Sequence, residues 1–154
     1  MIFDTAPAFR SQLPEGGVLI GLDIGSKTIG TAFCDAAWSF ASPASLIKRR
    51  KFAQDKAALT ELIASRDTKG IIVGLPLNMD GSQSPRSQSS RAFANNIEYL
   101  GLPTLLWDER LSTAAAERAM IEADLSRAKR AERIDNAAAA HILQGAIDAL
   151  VHGA

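Results

Sequence analysis

The segment Gly21-Leu22-Asp23-Ile24-Gly25-Ser26-Lys27-Thr28-Ile29-Gly30-Thr31-Ala32-Phe33-Cys34-Asp35 constrains this chain more than any other. An apolar run from Val18 to Leu22 ends on a carboxylate at Asp23. Glycines, a lysine and two hydroxyls follow, and a second, alternating run climbs away. The pattern predicts two strands of a hairpin with an acid at the mouth of the turn. Asp is a poor strand former and has no apolar reason to stand there. A carboxylate in that place suits a hard cation such as Mg²⁺, with the turn's backbone N–H groups and Lys27 facing a phosphate. On this segment alone, an exposed Asp opening a Gly-rich turn accounts for the residues equally well.

Periodicity extends the hairpin into an architecture. Strands are expected at about 18–24, 28–35 and 39–47, with short connections that favour an antiparallel meander. From Ala53 to Ser65, apolar residues recur at helical spacing (Ala57, Ala58, Leu62, with Leu59 and Ile63 alongside). Gly70 to Leu75 is a short unbroken apolar run, the pattern of a strand covered on both faces. Pro76 to Ser90 contains Asp80-Gly81, Pro85 and five serines and is expected to be a mobile loop. A helical segment to about Leu100 and a buried strand, Thr104 to Trp107, come next. Ser112 or Thr113 can cap an alanine-rich helix carrying Glu117, and a last helix is expected from about Ile134 to Val151. The order β-β-β-α-β-α-β-α-α predicts an α/β fold with a five-stranded mixed sheet, three antiparallel strands then two parallel, and helices on both faces.

Composition bounds the rest. The chain has 154 residues, enough for one domain with a real core, and 47% hydrophobic against 22% charged residues is ordinary for a globular protein. Residues 1–17, with Pro7, Pro14, Gly16 and Gly17, read as a flexible leader before a single domain over 18–154, and they lack the basic start and apolar block of a secretory signal. No apolar stretch reaches the roughly 18 residues of a membrane span. The lone cysteine, Cys34, lies on an expected strand, which fits a core thiol in a reducing, cytoplasmic setting. The net charge of zero gives no general attraction to nucleic acid. The distribution is less neutral: Lys48-Arg49-Arg50-Lys51 is one basic run, and Arg127, Lys129, Arg130 and Arg133 form another. Such runs are usually solvated surface unless a chemical site lies beside them.

The order of elements, with an acid at the end of the first strand, resembles the ribonuclease H-like fold. Within it, four pieces carry a closer likeness: Gly21 to Gly30, Ile72-Val73-Gly74-Leu75-Pro76-Leu77-Asn78-Met79-Asp80-Gly81, Asp108-Glu109-Arg110-Leu111-Ser112-Thr113, and Ile134-Asp135-Asn136-Ala137-Ala138. On these the chain resembles the YqgF/RuvX family of Holliday-junction-resolvase-like proteins described as pre-16S rRNA nucleases, over nearly all of Val18 to Leu150. The first piece alone is shared with actin-like kinases and ATPases; the third and fourth, in this order and spacing, are specific. The resemblance implies a divalent-metal-dependent nuclease of the cytoplasm, with acids at Asp23, Glu109 and Asp135 as catalytic and metal-binding residues. It further implies nucleic acid as substrate, either an RNA precursor or branched DNA, with ribosome-assembly components as partners and no membrane. Monomer and homodimer are both open.

The chemistry also stands without the family. Cleaving a phosphodiester needs a deprotonated water, an in-line approach and neutralisation of charge on the leaving oxygen, and two Mg²⁺ or Mn²⁺ ions roughly 3.5–4 Å apart supply all three. Such ions need carboxylates converging from different elements. Asp23 and Glu109 both lie at C-terminal ends of expected strands, where open α/β sheets place their sites. Asp135 is expected in the first turn of the last helix, where an acid also interacts favourably with the helix dipole. Asp108 and Glu109 are adjacent on a strand end, so at most one should face the metals. The resemblance favours Glu109. Many ribonuclease H-like nucleases carry an acid at the end of the fourth strand, where this chain has Leu75-Pro76, so one ion and two ions are both open.

Lys27, Thr28, Asn78 and Arg110 are candidate substrate contacts, for phosphate or sugar. The alternative for each is a turn residue or a surface ion pair. Two rival classes remain beside the nuclease. An actin-like ATP-binding protein would use the same first turn but needs two lobes. A silent nucleic-acid-binding module would normally have shed one of the three acids.

Overall fold

The computed structural model describes the backbone of residues 1–111 and 127–152 and the side chains of 1–110 and 137–152. The elements are β1 (Ile2–Phe3), α1 (Ala6–Arg10), β2 (Leu19–Ile24), β3 (Thr28–Cys34), β4 (Ala41–Lys48), α2 (Phe52–Ser65), β5 (Gly70–Leu75), α3 (Pro85–Asn96), β6 (Thr104–Asp108) and α4 (Arg127–His152). Short 3₁₀ turns at Glu98–Leu100 and Glu109–Leu111 follow α3 and β6. The sheet has six strands in the order β1-β6-β5-β2-β3-β4. β2, β3 and β4 form the antiparallel meander, while β5 runs parallel to β2, and β6 parallel to β5. The mixed sheet expected from sequence is therefore present, with one strand more.

Alternation along the strands sorts the core into two layers, because successive side chains point to opposite faces. Ile20, Leu22 and Ile24 of β2 join Ile71, Val73 and Leu75 of β5 and meet Leu59 and Ile63 of α2 and Phe93 and Ala94 of α3. Leu19, Ile72 and Leu105 point the other way, onto Ala139, Ile142, Leu143 and Ala146 of α4. The α4 layer is thin where glycine replaces a side chain. A Cβ on Gly21 would lie 2.7 Å from the Leu143 Cβ and 2.9 Å from the Ala139 carbonyl oxygen, so the helix can approach β2 only because Gly21 has none.

Three expectations need correction. Residues 1–17 were expected to be a flexible leader, but Ile2–Phe3 adds the sixth strand, parallel to β6, and α1 buries Phe9 completely. Full burial of one such side chain contributes roughly 1.5–3 kcal/mol. The Arg10 guanidinium then donates to the Leu150 carbonyl at the far end of α4. The prolines and glycines that give this segment a linker's composition surround a few apolar anchors, and those anchors decide its placement.

The expected loop 76–90 also ends early, because α3 begins at Pro85. Ser84 caps it reciprocally with Ser87: the Ser84 Oγ accepts from the Ser87 N–H at 3.0 Å, and the Ser84 N–H donates to the Ser87 Oγ at 2.7 Å. Serines that looked like loop residues are thus a helix start with proline at its first position. Finally, α4 is helical from Arg127 rather than from Ile134. Residues 127–133 are Arg, Lys, Ala and Glu, good helix formers without an apolar period, so periodicity passed over them. Arg127, Lys129, Arg130 and Arg133 belong to the helix rather than preceding it, and their side chains lie outside the described residues. So does the helix expected after Ser112 or Thr113, with Glu117.

Candidate active site

The site is built where β2, β5 and β6 end together beside α4. By the two-residue period Asp23 shares the α4 face with Leu19 and Gly21. On β6, Leu105 and Trp107 lie toward α4; the strand closes at Asp108, and Glu109 opens the 3₁₀ turn that follows. Between them runs β5, paired with both neighbours, and its residue at this level is Gly74. A Cβ there would stand 3.1 Å from the Glu109 Cδ and 3.2 Å from its Cγ, and 2.5 Å from the Ile142 Cδ1. Gly74 is the gap that lets the Glu109 carboxyl lie over β5, toward β2.

Electrostatics separates the two adjacent acids. Burial, and then the neighbouring charge of Asp23, push the Glu109 carboxyl up to about 7, against the opposing charge of Arg86. Asp108 is held below its usual range, chiefly by the hydrogen bonds from the Arg110 side chain, whose Nη2 and Nε lie 2.6 Å and 3.0 Å from its Oδ2. Of the two acids left open by the sequence, Glu109 therefore shares a field with Asp23, and Asp108 is committed to Arg110. Two carboxylates in a partly buried cleft offer the hard oxygen donors that Mg²⁺ and Mn²⁺ prefer. Among the described residues no group of three or more His, Cys, Asp or Glu forms such a cluster.

The third expected acid, Asp135, has a side chain outside the described residues. Its backbone lies about two turns into α4 rather than in the first turn, so a favourable interaction with the helix N-terminus no longer accounts for it; that effect fades beyond the first turn.

The other candidates divide. Lys27 is exposed and Thr28 half-buried on the turn after Asp23. The Gly25 N–H is not available to a phosphate as expected, because it donates to the Thr28 carbonyl at 2.9 Å. Asn78 uses its side-chain amide inside its own loop, donating to the Ser82 Oγ at 3.0 Å and the Gln83 carbonyl at 3.2 Å. Arg110 adds to its Asp108 contacts a bond to the Met79 carbonyl at 3.1 Å, tying that loop to the end of β6. Gly81 at the loop's tip has φ +88°, a conformation that glycine adopts without strain.

The structure gives two arginines partners that sequence reasoning did not assign. Arg49, inside the basic run read as solvated surface, turns inward: its Nη1 donates to the Gly25 carbonyl at 2.9 Å and its Nε lies 3.8 Å from the buried Asp55. It holds the turn that follows Asp23. Arg86, in the first turn of α3, brings Nη2 to 3.4 Å from the Asp23 Oδ1 and 3.3 Å from the Ile24 carbonyl. A signal for Arg86 was present, since a cation in the first turn of a helix opposes the dipole.

A three-stranded antiparallel meander leading into parallel strands, with acids at the ends of two of them, is the ribonuclease H-like arrangement. Among solved structures, T. thermophilus RuvC in complex with a Holliday junction substrate shares it, with a TM-score of 0.54 at 14% identity over 82% of this chain and 91% of that one. This likeness speaks to the fold alone. The family model described as "RuvX: Holliday junction resolvase" matches residues 17–149, and the chain belongs to that family. A protein of Sphingopyxis alaskensis named "Putative pre-16S rRNA nuclease" is 67% identical over 150 residues, covering 97% of this chain and 99% of its own length. One of Novosphingobium aromaticivorans with the same name is 64% identical over 154 residues, covering 100% and 99%.

Proposed function

We propose that the protein is a divalent-metal-dependent nuclease acting on structured nucleic acid, with maturation of the 5′ end of pre-16S rRNA as its cellular reaction. The observation that carries this reading is the Glu109 carboxyl lying over Gly74 of β5, the strand between β6 and β2, on the sheet face that Asp23 shares. The pre-16S rRNA component draws on the name borne by relatives of 67% and 64% identity. A second reading, cleavage of four-way DNA junctions, is favoured by the description of the matching family.

In this reading Asp23, Glu109 and Asp135 hold Mg²⁺ or Mn²⁺ and are the catalytic acids. Position 135 lies seven residues before Ile142, close to two helical turns, and so in line with the residue that rests against Gly74. When bound, the ion supplies Lewis-acid activation and neutralises charge at the phosphoryl group. Glu109, poised near neutrality, exchanges a proton readily when the cleft fills. Lys27 and Thr28 meet a phosphate from the turn that Arg49 holds in place. Asn78 and Arg110 serve the substrate by fixing the loop that borders the cleft. No helix among the described residues is long and apolar enough to cross a membrane.

The test is digestion of a structured pre-rRNA fragment, linear duplex DNA and a four-way DNA junction, each with Mg²⁺, Mn²⁺ or chelator. Metal-dependent cleavage of the RNA that vanishes in Asp23→Asn is expected. Cleavage confined to the junction would transfer the proposal to branched DNA. Metal-independent cleavage, or none of any substrate, would overturn it.

A further inference from the structure

Arg86 has no part in the fold's core, yet its base is held more firmly than an ordinary surface arginine. It is the second residue of α3, directly after Pro85. The reciprocal Ser84–Ser87 cap fixes that turn, and the Ser84 Oγ also donates to the Pro76 carbonyl at 2.6 Å, binding the turn to the end of β5. From this base the side chain reaches around the strand ends to Asp23. It makes long, single-nitrogen contacts there, 3.4 Å to the carboxylate and 3.3 Å to the Ile24 carbonyl, and the side chain stays 59% exposed. A guanidinium carries five N–H donors, and both contacts come from one nitrogen, Nη2. The exposed side chain leaves the rest of the fork open to solvent beside Asp23.

That placement sets up a competition and a use. A cation beside Asp23 partly satisfies the charge that a divalent ion would neutralise. A phosphodiester approaching Asp23 and Glu109 is repelled by both, and a guanidinium beside Asp23 offers paired donors matched to phosphate oxygens. We propose that Arg86 is a transferable arm: without metal it leans on Asp23, and with metal present it passes to a phosphate of the bound nucleic acid. This assigns a substrate-positioning residue to the site and rests on the nuclease reading above. An arginine that opposes the helix dipole in the first turn of α3 is a local cost consistent with such a role.

The experiment compares wild type, Arg86→Ala and Arg86→Lys in two assays that do not depend on turnover. The first follows the melting temperature against Mg²⁺ without nucleic acid. Arg86→Ala should reach half its shift at a several-fold lower Mg²⁺ concentration, because the competing cation is gone. The second measures Kd for a stem-loop RNA and a four-way DNA junction, with Ca²⁺ in place of Mg²⁺, across a salt series. Arg86→Ala should bind several-fold more weakly, with the salt slope reduced in magnitude by about 0.7 for a single-stranded contact or 0.9 for duplex. Arg86→Lys should keep the slope, because its charge remains, and lose part of the affinity, because its fork does not. A wild type that responds to Mg²⁺ with an Arg86→Ala indistinguishable in both assays would overturn the arm and leave the nuclease reading intact. A higher Mg²⁺ requirement in Arg86→Ala would overturn the competition. A wild type indifferent to Mg²⁺ would overturn the metal site and, with it, this proposal.

Discussion

Two arginine–carboxylate pairs stand at the same end of the sheet and are built in opposite ways. Arg110 and Asp108 are two residues apart and closely engaged, with N–O distances of 2.6–3.0 Å and a further bond to Met79 that brackets the loop after β5. Arg86 and Asp23 are 63 residues apart and touch at 3.4 Å. The close pair lowers its acid's pKa. Beside the loose pair sits Glu109, raised to about 7 by burial and by Asp23. Tight local pairing makes a fastening, whereas long contacts between elements bring together acids from separate strands, one of them with a raised pKa.

The largest expected effect breaks the comparison at the chemistry. Asp23→Asn and Glu109→Gln should each reduce the rate of metal-dependent cleavage by at least about 10²-fold, the scale seen when one electrostatic stabiliser is removed from an active site. Asp108→Asn should reduce it by less than about tenfold, the equivalent of 1.4 kcal/mol. Single-turnover rates on one substrate measure all three. Equal losses for Asp108→Asn and Glu109→Gln would make the two acids one unit and dissolve the distinction.

Next in size is the pH dependence of stability, measured by denaturant unfolding in chelator. Glu109, ordinarily near 4.5 and raised to about 7 when folded, binds its proton more tightly in the native state. Its stabilising contribution is therefore full below about 4.5 and is lost as the pH rises through 7. At roughly 1.4 kcal/mol per unit, discounted for partial exposure, the loss is about 2–3 kcal/mol. Glu109→Gln should flatten this limb. Asp108, with a lowered pKa, works with the opposite sign: its contribution is present above its ordinary value and is lost as the pH falls through the lowered one. Asp108→Asn should alter only the acid limb. A basic limb unchanged in Glu109→Gln would remove Glu109 from the buried cleft.

The smallest effect sharpens the fastening. Arg110→Ala should hardly move the melting temperature, since the pair is at the surface, but should speed amide exchange and proteolysis across residues 77–83 by releasing the Met79 carbonyl. Arg86→Ala should leave that segment unchanged. Equal protection of the loop in both variants would show that its internal bonds, from Asn78 to Ser82 and Gln83, suffice without Arg110.

Much of this molecule was legible because its signals are local. The meander of β2, β3 and β4 follows from alternation and short turns, and β5 from an unbroken apolar run between Gly and Pro. Asp23 betrayed itself as an acid closing such a run. The segments that misled did so through composition. The Pro- and Gly-rich first residues conceal Phe9, and the serines before Arg91 form a helix cap. The basic start of α4 lacks the apolar stripe that marks a helix to the eye.

The sequence by itself determined the succession of elements from β2 through β6, the family likeness and the acid that closes the β2 run, because these depend on backbone periods and motifs of a few residues. Only the tertiary structure decided that Gly74 leaves room for the Glu109 carboxyl, that Arg49 turns inward to hold the Gly25 turn, and that Arg86 reaches Asp23 from another element. Those outcomes depend on which surfaces meet and how much water they exclude. Desolvation and charge act across space between residues far apart in the chain, and no local period encodes them.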